Sequence, residues 1–351
     1  MSTRTTLPHR LASIVVPLLL LAWARIGVAQ AGTAPAPPSD WSAVDDFVRG
    51  EMVKQRVPGL AMAVVRHGVL VRAQGYGSAN LEHNVPVTAA TVFQSGSVGK
   101  QFTATLVMQL VGEGKLGLDD RLAKFFPGGP AAWRDITIRQ MLSHTSGISE
   151  KFYGKVDLHL EYADSTIARM IGEQPLDFAP GSKWSYSNPG YVMLGFVIEK
   201  VTGRFYGDLL EERIFGPLGM TTAMVISEPA IVPNRAAGYE TTNGTIANQE
   251  WVSGKFNTLA DGALYLTVLD LAKWDAALYG DRVLPQASLA QMWTPIRLND
   301  GATHPYGFGW ALGNVNGRRI VEHGGAWQGF KTFIARYVGD GLTVIVMMNL
   351  G

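Results

Sequence analysis

"SGSVGKQF", residues 95–102, sets Lys100 three positions after Ser97, at the point where the chain turns helical. Val98, Phe102, Leu106 and Leu110 recur at helical spacing, so a helix is expected from about Ser97. A lysine in a first turn faces the positive end of the helix dipole, where a capping box would place Glu or Gln. Residues three apart share a helix face, so this cation lies beside the Ser97 hydroxyl. A serine hydroxyl is a weak nucleophile until a neighbour takes its proton, and a lysine amine does so once burial or nearby positive charge lowers its pKa. A helix start also offers backbone N–H groups to a developing oxyanion. A lone Ser-x-x-Lys arises readily by chance in a chain with 17 serines and 11 lysines, and a capping serine beside a solvated lysine is the plain alternative.

Two further stretches supply company. In "PGSKWSYSNPGY" (180–191), Tyr186 and Asn188 stand two apart, just before a helix that Asn188-Pro189 would open and Gly203 would close. Asn188 then reads as the N-cap, or as a side-chain amide that grips a substrate. Tyr186 reads as packing, or as a phenolate-like base whose pKa Lys100 lowers. In "VEHGGAWQGF" (321–330), a strand ends in Gly324-Gly325, which lets a ligand approach the backbone closely. There His323 is expected to donate to a substrate, and the Ala326 N–H to complete an oxyanion hole with that of Ser97.

Other readings of these residues fail. A phosphate-binding loop needs Gly at Gln94 and Ser or Thr at Gln101, and a nucleophile elbow needs Gly at Ser95. His144, in "LSHTSG", reads as a structural turn residue rather than as part of a Ser-His-Asp triad. The seven histidines show no metal-ligand spacing, so no metal and no cofactor are expected.

Bulk properties narrow the setting. The 351 residues are 47 % hydrophobic, enough for a sizeable core, and carry a formal charge of +1. Residues 1–31 hold Arg4, Arg10 and Arg25 and no acid, leaving 27 basic against 29 acidic residues. With no basic run or basic–aromatic stripe, a nucleic-acid partner is not expected. The start has the layout of a secretory signal: basic residues, an apolar run at Leu11–Ala24, then Ala29-Gln30-Ala31, with cleavage expected after Ala31. That run stops at Arg25 and is shorter than the roughly 20 residues a membrane span needs. The absence of cysteine excludes disulfides and thiol chemistry, which suits a bacterial periplasm or exterior.

"GTAPAPPSD" (32–40) reads as a linker. "WSAVDDFVRGEMVKQ" (41–55) has amphipathic helical spacing, and "LAMAVVRHGVLVRAQGYG" (60–77) reads as a hairpin about His67-Gly68. Residues 98–290 carry mostly helical patterns. Strands return as "YGFGWAL" (306–312), "RRIVEHGG", "FKTFIARY" and "LTVIVMMNL", with an Asp340-Gly341 turn. The expectation is an α+β fold: an antiparallel sheet from both ends of the chain flanked by helices, with an inserted helical lobe. The α/β lobe would take about 41–95 and 295–351, and the helical lobe about 96–294.

Ser-x-x-Lys, Tyr-x-Asn and His-Gly-Gly, in this order, resemble the serine β-lactamase and penicillin-binding-protein family. The likeness is to its branch of class C β-lactamases, D-alanyl-D-alanine carboxypeptidases, D-aminopeptidases and esterases. "ITIRQMLSHTSGI" (136–148), "FAPGSKWSYSNPGYVMLG" (178–195) and "YGFGW" (306–310) are also similar, so the resemblance runs from about Trp41 to Gly351. It implies that Ser97 is the acylated nucleophile, Lys100 and Tyr186 the proton-transfer pair, and Asn188 the substrate-amide contact. His323 falls at the lysine position of the family's Lys-Thr-Gly, with Gly325 at its glycine and Ala326 beside it. The exchange removes a fixed positive charge and a hydroxyl that help to hold a β-lactam's carboxylate, and His is charged only in acid. Members often continue into a further helix after the last strand, whereas the sequence here stops at "MMNLG".

The resulting expectation is an exported serine hydrolase acting through an acyl-enzyme on small carboxylic esters or D-amino-acid peptides and amides. A true β-lactamase or D-alanyl-D-alanine carboxypeptidase is the alternative within the family. A non-catalytic binding or sensor protein of the same fold is the alternative outside it, disfavoured because all three motifs keep their reactive side chains.

Overall fold

The computed structural model describes residues 40–351. The expected secretory segment, residues 1–31, lies outside the described residues, as does all of the linker except Asp40.

From Trp41 the chain enters helix α1 (Ser42–Gln55), which ends at Arg56 in the left-handed conformation (φ 57°). Strands β1 (Gly59–Arg66) and β2 (Val69–Asn80) follow as a hairpin, turned by His67 (φ 49°) and Gly68 (φ 76°). β3 (Val85–Pro86) adds an edge. Far along the chain come β4 (Ala311–Val315), β5 (Arg318–Trp327), β6 (Phe330–Tyr337) and β7 (Leu342–Met348). These form one seven-stranded antiparallel sheet in the order β4-β5-β6-β7-β1-β2-β3. Strands from the early and late parts of the described residues therefore meet, with Leu60 opposite Met348.

β1 is buried along nearly its whole length because both faces of the sheet are covered. On one face α1 lays Val48 and Met52 against Leu60, Met62, Val346 and Met348. On the other face α5 (Val268–Ala277) crosses β1 and β7. Behind it lie α2 (Lys100–Gly112) and α4 (Asn188–Thr202), with α3 (Asp164–Gly172) packed on α4. Phe102, Leu106, Val107 and Leu110 of α2 are wholly buried, so this helix is the axis of the main core rather than an amphipathic surface helix. Among the described residues no helix is long and apolar enough to cross a membrane.

Two expectations need correction. "YGFGWAL" is not a strand before Ala311; Tyr306–Trp310 is a looped segment that bends at Gly309 (φ 75°) and drives Trp310 into the core. The middle of the chain is less purely helical than its patterns imply. It holds a hairpin, Tyr239–Thr242 with Thr245–Asn248, and a small sheet of Phe93–Gln94, Leu264–Leu266 and Met224–Val225. The hairpin turns on Asn243 (φ 51°) and Gly244 (φ 77°), an Asn-Gly signal of the same kind as His67-Gly68.

α5 is fastened to the sheet by a buried ion pair, since Arg336 on β6 donates to Asp275 and Thr343 Oγ on β7 donates to the same carboxylate at 2.6 Å. Removing one partner strands the other charge in the core, so Arg336→Met is expected to lower unfolding stability by about 3–5 kcal/mol in urea titration. A loss below about 1 kcal/mol would mean that Asp275 finds another partner or takes up a proton at little cost.

Candidate active site

The turn carrying Ser97 is a single 3₁₀ turn, Gly96–Gly99, that runs directly into α2. It presses against the end of β5. A Cβ added to Gly96 would sit 2.4 Å from the Ala326 nitrogen, and one on Gly325 would sit 2.0 Å from Ser95 O and 2.8 Å from Ser97 N. Only glycines permit this contact. It sets the backbones of Ser97 and Ala326 side by side on the wall of one cavity of about 300 Å³.

Lys100, wholly buried, rises from the first turn of α2 into that wall. Its Nζ donates to Ser97 Oγ at 3.0 Å, to Asn188 Oδ1 at 2.7 Å and to the Asp261 main-chain carbonyl. It also lies 5.0 Å from the centre of the Tyr186 ring and 5.5 Å from that of Tyr191. Burial pushes the ammonium down to about 8, with the negative charges of Asp261 and Glu150 opposing the shift. The spacing seen in sequence thus brings Ser97 and Lys100 into contact, and burial in the fold supplies the lowered pKa.

Tyr186 shares a hydrogen bond with the Ser97 hydroxyl. The reading of Tyr186 as a phenolate-like group is corrected: burial raises its pKa well above the ordinary range, and the bond to Ser97 recovers only part of that. Near neutral pH it is a phenol. The cap of α4 is also one residue earlier than expected. Ser187 Oγ accepts from the Gly190 N–H at 3.1 Å, and Gly203 closes the helix at φ 70°. With Ser187 capping, the Asn188 side chain is released to meet Lys100.

His323 is buried on β5, three residues before Ala326, and is already engaged. Its Nδ1 donates to the Gly324 carbonyl at 2.6 Å and its Nε2 is 2.8 Å from the Tyr306 hydroxyl. Burial, reinforced by the charge on Lys100, pushes its pKa down to about 3. A neutral ring with both nitrogens occupied has no N–H for a substrate, so the expected donor role is corrected.

Sequence reasoning missed the opposite wall. Glu150 accepts the Asn188 main-chain N–H, with Asn188 Nδ2 at 3.4 Å from its second oxygen. Asp261 Oδ2 accepts from the Tyr153 hydroxyl at 2.9 Å. Burial raises the pKa of both carboxyls, and Lys100 opposes the rise in each. Phe256 and Trp327 complete the cavity, and the Trp327 Nε1–H is fixed on Asn257 Oδ1 at 2.7 Å. No pattern of spacing in the sequence flags Glu150 or Asp261.

A family model described as Beta-lactamase matches residues 44–351. The chain belongs to the beta-lactamase family. Penicillin-binding protein 4* of Bacillus subtilis (strain 168) is 33 % identical over 299 residues, covering 80 % of this chain and 66 % of that protein. A D-aminopeptidase of Gluconobacter oxydans (strain 621H) is 29 % identical over 308 residues, covering 83 % of this chain and 56 % of that protein. The chain therefore spans between about half and two thirds of the length of these relatives. Among solved structures, the octameric penicillin-binding protein homologue from Pyrococcus abyssi superposes with a TM-score of 0.77 at 28 % identity, covering 89 % of this chain and 74 % of that one. The D-amino acid amidase from Ochrobactrum anthropi SV3, complexed with L-phenylalanine amide, superposes at 0.76 with 26 % identity, covering 88 % and 92 %. The family match thus spans the seven-stranded sheet and the central buried helix alike.

Lys100 titrating near 8 has a measurable sign. As pH rises through about 8 the ammonium becomes a free amine, so phosphonylation of Ser97 by a neutral fluorophosphonate is expected to climb about tenfold per unit below pH 8 and level off above it. A rate flat from pH 6 to 9 would assign the proton acceptor elsewhere.

Proposed function

We propose that this chain is a serine hydrolase that forms an acyl-enzyme at Ser97 and acts on amides or short peptides of D-amino acids with a free amino group. The observation that carries the first half is Lys100 Nζ at 3.0 Å from Ser97 Oγ, buried and hydrogen-bonded only to uncharged oxygens. The Asn188 and Asp261 carbonyl oxygens each hold one N–H. The proton that leaves is then the one aimed at Ser97, and the lone pair points at the nucleophile. Lys100 takes the Ser97 proton as Oγ bonds to the substrate carbonyl carbon. The N–H groups of Ser97 and Ala326 receive the oxyanion, and the Tyr186 phenol hands a proton to the departing amine while Lys100 replenishes it. Water then releases the acid by the same route in reverse.

The second half rests on charge. The cavity is lined by the Glu150 and Asp261 carboxyls, which face Lys100, and His323, buried behind the Ala326 wall, adds no positive charge. An ammonium group is favoured there and a carboxylate is not, which disfavours penicillins and D-alanyl-D-alanine ends. A pocket of about 300 Å³ walled by Phe256 and Trp327 suits one amino-acid side chain. Relatives that are a D-aminopeptidase and a D-amino acid amidase agree with this choice.

Mass spectrometry after fluorophosphonate treatment is expected to find one adduct, on Ser97; an unmodified Ser97 would leave the fold as a binder. Offered D-alanyl p-nitroanilide, its N-acetyl derivative and nitrocefin, the enzyme is expected to prefer the free amine by about 10²-fold in kcat/KM over either. Glu150→Gln is expected to shrink that preference to below about tenfold. Efficient nitrocefin turnover would refute the charge argument, and equal rates on acetylated and free amine would remove the ammonium from it.

A further inference from the structure

His144, Tyr306 and His323, drawn from three separate stretches of the chain, are all nearly or wholly buried and hydrogen-bonded in series. The two ends of the series are backbone groups, and these fix its direction. The Ser187 N–H can only donate, and it meets His144 Nδ1 at 3.1 Å. A neutral His144 therefore carries its proton on Nε2 and donates it to the Tyr306 oxygen, 3.1 Å away. The Gly324 carbonyl can only accept, so His323 carries its proton on Nδ1. The Tyr306 hydroxyl is then the donor to His323 Nε2 at 2.8 Å.

We infer that Tyr306, oriented by His144, is a positioning residue that locks His323 as the neutral Nδ1–H tautomer. In this state the single N–H of His323 holds the Gly324 carbonyl, and with it the Gly324–Ala326 backbone that faces Ser97. The imidazole works on the backbone rather than on the substrate, and the cationic lysine of the family's Lys-Thr-Gly is replaced by a buried uncharged strut. The ring of His144 also packs on that of Tyr186, with centroids 4.2 Å apart, so one buried series braces both the phenol and the oxyanion wall. The link to the oxyanion wall rests on the function proposed above; the tautomer does not.

The tautomer is read directly by ¹⁵N–¹H correlation spectra of histidine-labelled protein at pH 7, assigned with His323→Asn. The expected pattern for His323 is a protonated Nδ1 and an unprotonated Nε2; Tyr306→Phe is expected to remove the Nε2 hydrogen-bond shift. An Nε2–H tautomer or an imidazolium in the wild type overturns the inference. Kinetics give the second reading, because Asn places an N–H where His carries Nδ1, and Gln places its amide where His carries Nε2. His323→Asn is expected to lower kcat less than tenfold and His323→Gln about 10²-fold, with KM little changed in either. The reverse order would assign His323 to the substrate through Nε2. Retained fluorophosphonate labelling of Ser97 in both variants separates this outcome from failure of the hydrolase reading itself.

Discussion

An ammonium group sealed in the core with only uncharged oxygens to receive its protons is the constraint on which the rest of this molecule turns. Burying a charge is unfavourable unless it is hydrogen-bonded, and Lys100 is satisfied by a hydroxyl, a side-chain amide oxygen and a main-chain carbonyl. Those acceptors stabilise the cation enough to keep it in place, and not enough to hold it charged well above neutrality. A carboxylate in direct contact would have raised the pKa and disarmed the amine. Glu150 and Asp261 act on it through space instead, which tempers the shift without cancelling it.

Each acceptor comes from a different part of the fold. Ser97 is on the turn before α2, Asn188 opens α4, and Asp261 lies on the segment that leads to α5. Their convergence needs α2 as a buried axis, α4 capped one residue early at Ser187, and β5 driven against the turn bearing Ser97 through two glycines. The sheet and the helices are thus not a passive frame. The terminal strands supply the wall that faces Ser97, and the helices supply the groups around its oxygen.

Much of this was legible. Ser97 and Lys100 announced themselves by a cation placed against the dipole, Tyr186 and Asn188 by their place before a helix, and the sheet by strand patterns at both ends. What escaped has physical reasons. The cap moved from Asn188 to Ser187 because either residue type suits the position, and only tertiary contact with Lys100 decides between them. The Asn243-Gly244 turn carried a hairpin signal, but its short strands lie in a stretch of mixed polarity. Glu150 and Asp261 belong to no spaced motif; an acidic residue becomes informative only when burial and neighbours give it a task. His144 reads in sequence as an ordinary turn residue, which it is (φ 60°), while its ring is also a link in the series to His323. The phenolate reading of Tyr186 failed because sequence shows a nearby cation but not the desolvation that outweighs it.

The pairing of β1 with β7 has a temporal side. The hairpin of β1 and β2 can form locally, but β1 gains its other neighbour only once β7, far along the chain, is available. Closing so long a loop is entropically expensive and slows folding. β5, whose end must press on the turn bearing Ser97, belongs to the same late-arriving block of strands. The turn bearing Ser97 therefore reaches its packed geometry only when this block of strands docks, so assembly of the cavity wall coincides with assembly of the sheet.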